Sequence, residues 1–230
     1  MARVLCRIAA LLVVCFAAPA KAADWAVPSD TLVAAYNWTG FYVGVSAGGA
    51  HGTSRWTSYD PTNPFATGDF GLWGGLVSGT AGYNLQNVGR FVLSEEVDVG
   101  WTNLSGSTTN MCVPNCETVS TWLATARLRL GYALDRYLPY VTGGWALSDI
   151  NARFAGAPLG TDGAMKGGWV LGGGMEFVVA GPVTAKVEYL HVQFGSQDCY
   201  TACAGVLGPV TVKLNEDIIR AGLNFRLWAR

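Results

Sequence analysis

The chain has 230 residues, with 15 Lys and Arg against 16 Asp and Glu, and half of it is hydrophobic. After the N-terminus no apolar run reaches the roughly 18 residues of a membrane-spanning helix, and the near-neutral balance argues against a nucleic-acid partner, which favours a basic face. Only 13% of residues are charged, whereas glycine (30) and Trp, Tyr and Phe (nine each) are abundant, a composition that suits a β-barrel with its outer face in lipid.

The first segment reads as a secretory signal. Arg3 and Arg7 supply the positive start, Ile8 to Ala18 form an apolar core of 11 residues, and Ala20-Lys21-Ala22 is a small-residue cleavage site. Residues 1–22 are expected to be removed, 23–37 to form a short mature leader, and 38–228 to form the folded domain. Cleavage removes Arg3, Arg7 and Lys21 but no acid, which leaves a net charge of −4. It also removes Cys6 and Cys15. Cys112, Cys116, Cys199 and Cys203 remain, as two C-x₃-C pairs. In an exported chain they point to disulfides, with three connectivities open. A Cys₄ metal site would use tighter C-x₂-C knuckles.

From Trp38 onward the pattern has period two, the signature of strands. The first strand is expected over 38–49, with Phe41, Val43, Val45 and Ala47 on one face and Tyr42, Gly44 and Ser46 on the other. A polar stretch, 50–69, follows. The second strand spans about 70–86 and ends in the turn residues Asn87-Val88-Gly89-Arg90. The third spans 91–103, with Val97, Val99 and Trp101 opposite Glu96 and Asp98. A polar stretch, 104–117, holds the first Cys pair.

The fourth strand, 118–133, sets Trp122, Ala124, Ala126, Leu128 and Leu130 against Thr125, Arg127 and Arg129. A short break at Asp135-Arg136 leads to the fifth, 137–152. After a Gly-rich stretch, 153–166, the sixth runs over 167–179, with Glu176 on the face away from Trp169 and Leu171. Ala180-Gly181-Pro182 turns into the seventh, 183–195, where Lys186 and Glu188 oppose Val187 and Tyr189. The stretch 196–214 holds the second Cys pair, and the eighth strand is expected over 215–228, with Arg220 opposite Ile219 and Ala221.

Eight strands joined by alternating long and short connections describe an all-β fold, an eight-stranded antiparallel up-and-down transmembrane β-barrel. The apolar parity carries aromatic residues near strand ends, as membrane-interface girdles require. The other parity is too charged for a dry apolar core. It places four acids (Glu96, Asp98, Glu176, Glu188) and four bases (Arg127, Arg129, Lys186, Arg220) toward the lumen. An eight-stranded lumen is just wide enough for side chains to fill, and buried charges must pair. The eight residues are expected to form a lumen-filling ion-pair network. Glu95 falls on the lipid-facing parity, which a β-bulge at Glu95-Glu96 would correct.

The runs WTGFYVGVSAGG, GGLVSGTAGYNLQ, RLRLGYALDRYLPYVTGGWA, KVEYLHVQFG and DIIRAGLNFRL carry a resemblance. Their most specific parts are the Gly131–Tyr140 turn and the closing Arg-Ala-Gly-Leu-Asn-Phe. Together they resemble the small alphaproteobacterial outer-membrane β-barrels with an OmpA-like transmembrane fold, called porin-family, opacity-type or haemin-binding surface proteins. The resemblance covers about Trp38 to Leu227. It implies location in the outer membrane, contact with its lipids and lipopolysaccharide, insertion by the barrel-assembly machinery, and a structural or envelope-integrity role. Members commonly end on an aromatic residue, whereas here Trp228 is followed by Ala229-Arg230.

Two alternatives accompany that reading, a haemin receptor and a small-solute porin. Haemin capture would need axial ligands such as His51, placed in the first loop, or Tyr59, or reduced cysteines. Otherwise no cofactor is expected. Catalysis is not expected either. No G-x-S-x-G or phosphate loop is present, and His191, on the parity of Tyr189, is followed two positions on by Gln193 rather than Ser. The bland reading of His191 is an interface histidine.

Overall fold

The computed structural model describes residues 36–58, 64–112, 114–154, 161–199 and 210–227. The expected signal peptide, the leader up to residue 35 and the Trp228–Arg230 terminus lie outside the described residues. The strands are β1 (Gly40–Ser58), β2 (Ala66–Val88), β3 (Phe91–Thr108), β4 (Cys116–Tyr132), β5 (Tyr137–Phe154), β6 (Thr161–Ala180), β7 (Val183–Phe194), β8 (Gln197–Cys199) and β9 (Val210–Arg226). Consecutive long strands pair antiparallel, β7 pairs with β9, and β9 closes on β1. β8 is a three-residue strand that follows β7 along the upper part of β9. The result is a closed barrel of eight long strands.

The stagger of the barrel is legible in its register. A line of paired residues leaves Phe41, passes through Tyr83, Glu95, Leu128, Gly143, Leu171, His191 and Asp217, and returns to β1 at His51, ten residues on. With ordinary strand spacings this stagger tilts the strands by about 40°. Each short turn is made by a residue in the left-handed region: Gly89 (φ 60°), Asp135 (φ 55°) and Gly181 (φ 51°). Glycine reaches that region without a Cβ clash, and Asp is one of the few other residues that visits it.

Large apolar side chains cover the outside. Near the short turns lies a belt of Phe41, Tyr83, Phe91, Tyr132, Phe177 and Phe225, with Phe41 against Tyr83 at 4.6 Å and Phe91 against Tyr132 at 5.3 Å between ring centroids. Toward the long connections stands a second belt, Trp73, Trp101, Trp145 and Trp169, all exposed. Tyr83 and Trp73 are ten residues apart on β2, so the belts are separated by about 25 Å, the height of the apolar band of an outer-membrane barrel.

Three expectations require correction. The strands run further than the apolar pattern suggests: β1 and β2 have 19 and 23 residues and take in most of the polar stretch 50–69. Polar residues beyond the lipid keep the alternation and still pair, as Arg55 does with Asp69 at 2.7 Å. Trp38 is not in the first strand. Its side chain, 1% exposed, plugs the short-turn mouth against Val92, Ala133 and Leu138, and its Nε1 donates to the Asp135 carbonyl at 3.2 Å. The bulge at Glu95-Glu96 is also not there. Register is continuous from Ser94 to Trp101 on both sides of β3, and Glu95 lies exposed on the outer face. It stands beside Tyr83 of the lower belt, near interface depth, where an acid costs little.

Candidate functional site

The inward residues are layered. Above the Trp38 plug lies a charged layer. Above that is an apolar layer that includes Leu76, Leu123, Ile150, Val170, Leu190 and Ile218. The hydroxyl pair Ser120–Ser148 (2.9 Å) lies within that layer, where Ser148 is paired with Leu123, and the pair Ser54–Thr118 (3.0 Å) stands above it. A cap of Trp56, Phe65, Cys112, Cys116, Val210 and Val212 is uppermost.

The charged layer holds all eight of the ionisable residues named from inward parity. Every one is at most 3% exposed. β4 supplies Arg127 and Arg129 two positions apart, so both guanidinium groups enter the lumen one above the other. Arg127 contacts Glu96, Asp98 at 2.7 Å and Glu188 at 2.9 Å. Arg129 bridges Glu96 (2.9 Å) and Glu176 (2.7 Å). Lys186 reaches Glu96 at 3.1 Å. Arg220 joins Asp98 (3.1 Å) to Glu188 (2.6 Å). Four negative and four positive groups thus share one layer with no net formal charge. At this depth the pairing is obligatory, because an unpaired ion in low dielectric is strongly penalised.

Neutral residues, which a charge pattern does not mark, complete the layer. Tyr42 Oη donates to Glu96 at 2.8 Å and Tyr140 Oη to Glu188 at 2.9 Å. Thr80 and Thr125 donate to Asp98 at 2.6 and 3.0 Å. Asn224 donates to Glu176 at 3.0 Å. The Arg129 guanidinium lies over the Tyr140 ring, 3.8 Å from its centroid. All of these share the inward parity, which is the signal that identifies them. The rings fit because glycine faces them: a Cβ on Gly82 would collide with Tyr42, and one on Gly174 would come within 2.8 Å of the Tyr140 hydroxyl.

Comparison with known proteins agrees with this architecture. The family model described as outer membrane protein beta-barrel domain matches residues 8–226. The chain belongs to the outer membrane β-barrel family. It is similar to the 31 kDa outer-membrane immunogenic protein of Brucella melitensis, with 33% identity over 92% of this chain and 95% of the relative. It also resembles the 25 kDa outer-membrane immunogenic protein of Brucella abortus, at 27% identity over 92% and 90% of the two chains. A third relative is the 22 kDa outer membrane protein of Rhizobium leguminosarum, at 29% identity over 70% and 67%. Among solved structures it aligns with Neisserial surface protein A at TM-score 0.45 and 16% identity, over 82% of this chain and 98% of that one. This outer membrane barrel protein is therefore located in the bacterial outer membrane.

The cysteines of this outer membrane barrel are partly placed. Cys112 and Cys116 form a disulfide across the β3–β4 connection and are fully buried in the cap. Cys203 lies outside the described residues, and the side chain of Cys199 is likewise not described. Tyr59 lies outside them too.

His51 is not in a loop but within β1, on the outer face, with its ring 4.3 Å from that of Trp73. The hydrophobic pattern fades there, while the backbone pairing continues past it to Ser58. His191 is also on the outer face, at the level of Trp169. Its Nδ1 is 2.8 Å from Asp217 Oδ1, which also accepts the Tyr189 hydroxyl at 2.6 Å. Asp217 is directly paired with His191 on one side and His51 on the other. Among the described residues no group of three or more His, Cys, Asp or Glu could hold a metal ion.

Proposed function

We propose that this barrel is a structural and surface protein of the outer membrane, with a lumen closed to solutes and its long connections displayed outward. The charge-balanced layer between two apolar layers carries the reading. A selective pore needs a wetted path lined by charge of one sign or by weak, multiple sites. Here each carboxylate of the charged layer is engaged by a cation or a hydroxyl, and the layer above is lined mostly by Leu, Ile and Val, with the buried Glu216 among them. The relatives named immunogenic support outward display, since antibodies meet surface segments. The reading includes insertion by the barrel-assembly machinery and involves no cofactor and no catalysis.

Planar-bilayer recording on the refolded mature chain tests it. The expected record is flat apart from insertion noise. A stable ohmic step would refute the closed lumen. A haemin titration on the same sample is expected to give no Soret shift. Protease added to intact cells is expected to cut between β5 and β6, within 155–160, or between β8 and β9, within 200–209, and leave the barrel whole.

A further inference from the structure

Apart from Glu95 on β3, the outer face of the barrel is apolar between its belts except over β7, β9 and β1. There His191, Asp217 and His51 stand side by side on three adjacent strands, with Tyr189 one outward position below His191. Trp169 flanks the row at one end, 5.6 Å from His191, and Trp73 at the other. A carboxylate facing hydrocarbon is costly, so this row belongs at headgroup depth. Asp217 uses Oδ1 for both Tyr189 and His191, and its side chain is 45% exposed. Among the described residues its Oδ2 accepts no hydrogen bond.

Above the row the same face carries Gln193, Asn215 and Thr53, and then the exposed cations Lys213 and Arg55, paired in register. Arg55 also binds Asp69. Below the row the face becomes a shallow groove lined by Val45, Ala47, Ala185, Val187, Ala221 and Leu223.

We propose that this face binds one phosphorylated glycolipid of the outer leaflet. Asp217, with its histidines, receives sugar hydroxyls. Lys213 and Arg55 face phosphate. The groove below takes an acyl chain. The order of chemistry along the strands is the order of such a molecule, from anionic head through sugar to hydrocarbon. A simple phospholipid fits less well. Its phosphate would sit at headgroup depth against the Asp217 carboxylate, and it has few hydroxyls for the row. Asp217 and Lys213 are four residues apart, so sugar and phosphate subsites are separated by about 13 Å, the length of a two-sugar head. The proposal rests on the outward orientation of the long connections, which the proteolysis experiment checks separately.

The test uses the refolded mature chain in phosphatidylcholine nanodiscs, with bisphosphorylated lipid A or phosphatidylglycerol added, released into mild detergent for native mass spectrometry. One retained lipid A and no retained phosphatidylglycerol are expected. Asp217→Asn combined with His191→Ala should lower lipid A retention by about tenfold or more, the equivalent of one or two lost hydrogen bonds. His51→Ala alone should lower it less, and Leu128→Ala on β4 should not change it. Folding of each variant is checked by heat-modified gel migration. Should the double variant not fold, Ala221→Trp, which fills the groove, is read in its place. Unchanged retention in a folded double variant or, in its absence, in folded Ala221→Trp would overturn the proposal. So would equal retention of phosphatidylglycerol. A dimer that forms without lipid A and is lost in Ala221→Trp would also overturn it, in favour of a second copy on this face.

Discussion

Arg129 shows most directly how this interior is held together. Its guanidinium joins Glu96 to Glu176, receives no counter-charge from solvent, and lies against the Tyr140 ring. Arg129→Ala would remove the salt bridge that Glu176 makes and leave Lys186, its cross-strand neighbour already bound to Glu96, as the nearest cation in register. Removing one partner of a buried pair typically costs about 3–5 kcal/mol, and a loss of that order is expected in urea unfolding of the barrel in lipid vesicles. An unchanged midpoint would mean that the carboxylates are satisfied otherwise. Glu216 provides the opposite case. It points inward between Leu214 and Ile218, is 1% exposed, and its Oε1 has no hydrogen-bond partner. Glu216→Met keeps the volume and removes the polar burden, so it is expected to stabilise the barrel by about 1–3 kcal/mol. A destabilised Glu216→Met would point to an unseen partner. Parity alone identifies residues such as Arg127 and Glu188, because a two-residue period assigns each side chain to a face. It does not distinguish a paired acid from an isolated one, since partners lie on strands remote in sequence.

At the scale of the strands, the sequence marks the membrane rather than the sheet. Apolar alternation identifies all eight long strands and the three tight turns between them, but it stops where lipid stops. Backbone hydrogen bonding does not, so β1 continues through His51 to Ser58, and Cys116 of the expected loop begins β4. Glu95 illustrates the same limit. The rule that acids avoid lipid suggests a bulge, yet the strand tolerates Glu95 outside because it lies near the interface. The Cys112–Cys116 disulfide closes only a short loop, and short loops gain little from closure. Replacing both cysteines by Ser is expected to lower barrel stability by no more than about 2 kcal/mol, read from the same urea transition. A larger loss would show that packing in the cap, where Trp56 and Val212 surround the bridge, dominates its effect.

For the molecule as a whole, the distance between aromatic belts sets the bilayer it fits. A band of about 25 Å is thinner than an average bilayer core. Refolding yield is therefore expected to be highest in short-chain phosphatidylcholine vesicles and to fall as the acyl chains lengthen, measured by the heat-modified gel shift. Insensitivity to chain length would mean that the belts do not anchor the protein.

The ten-residue stagger of the closed sheet also constrains how the gene can vary. Since the last strand pairs with the first, register is fixed around a complete circuit and no edge is left to absorb a slip. A single-residue deletion inside a strand, unless absorbed by an irregularity such as the one β4 carries between Ser120 and Leu123, would reverse every inward and outward side chain beyond it, placing Arg127 or Glu188 in lipid and Trp or Phe in the lumen. Length variation is thereby confined to the long connections, where an insertion changes neither tilt nor lumen. The part of the protein free to change in length is then also the part proposed to face the surroundings of the cell.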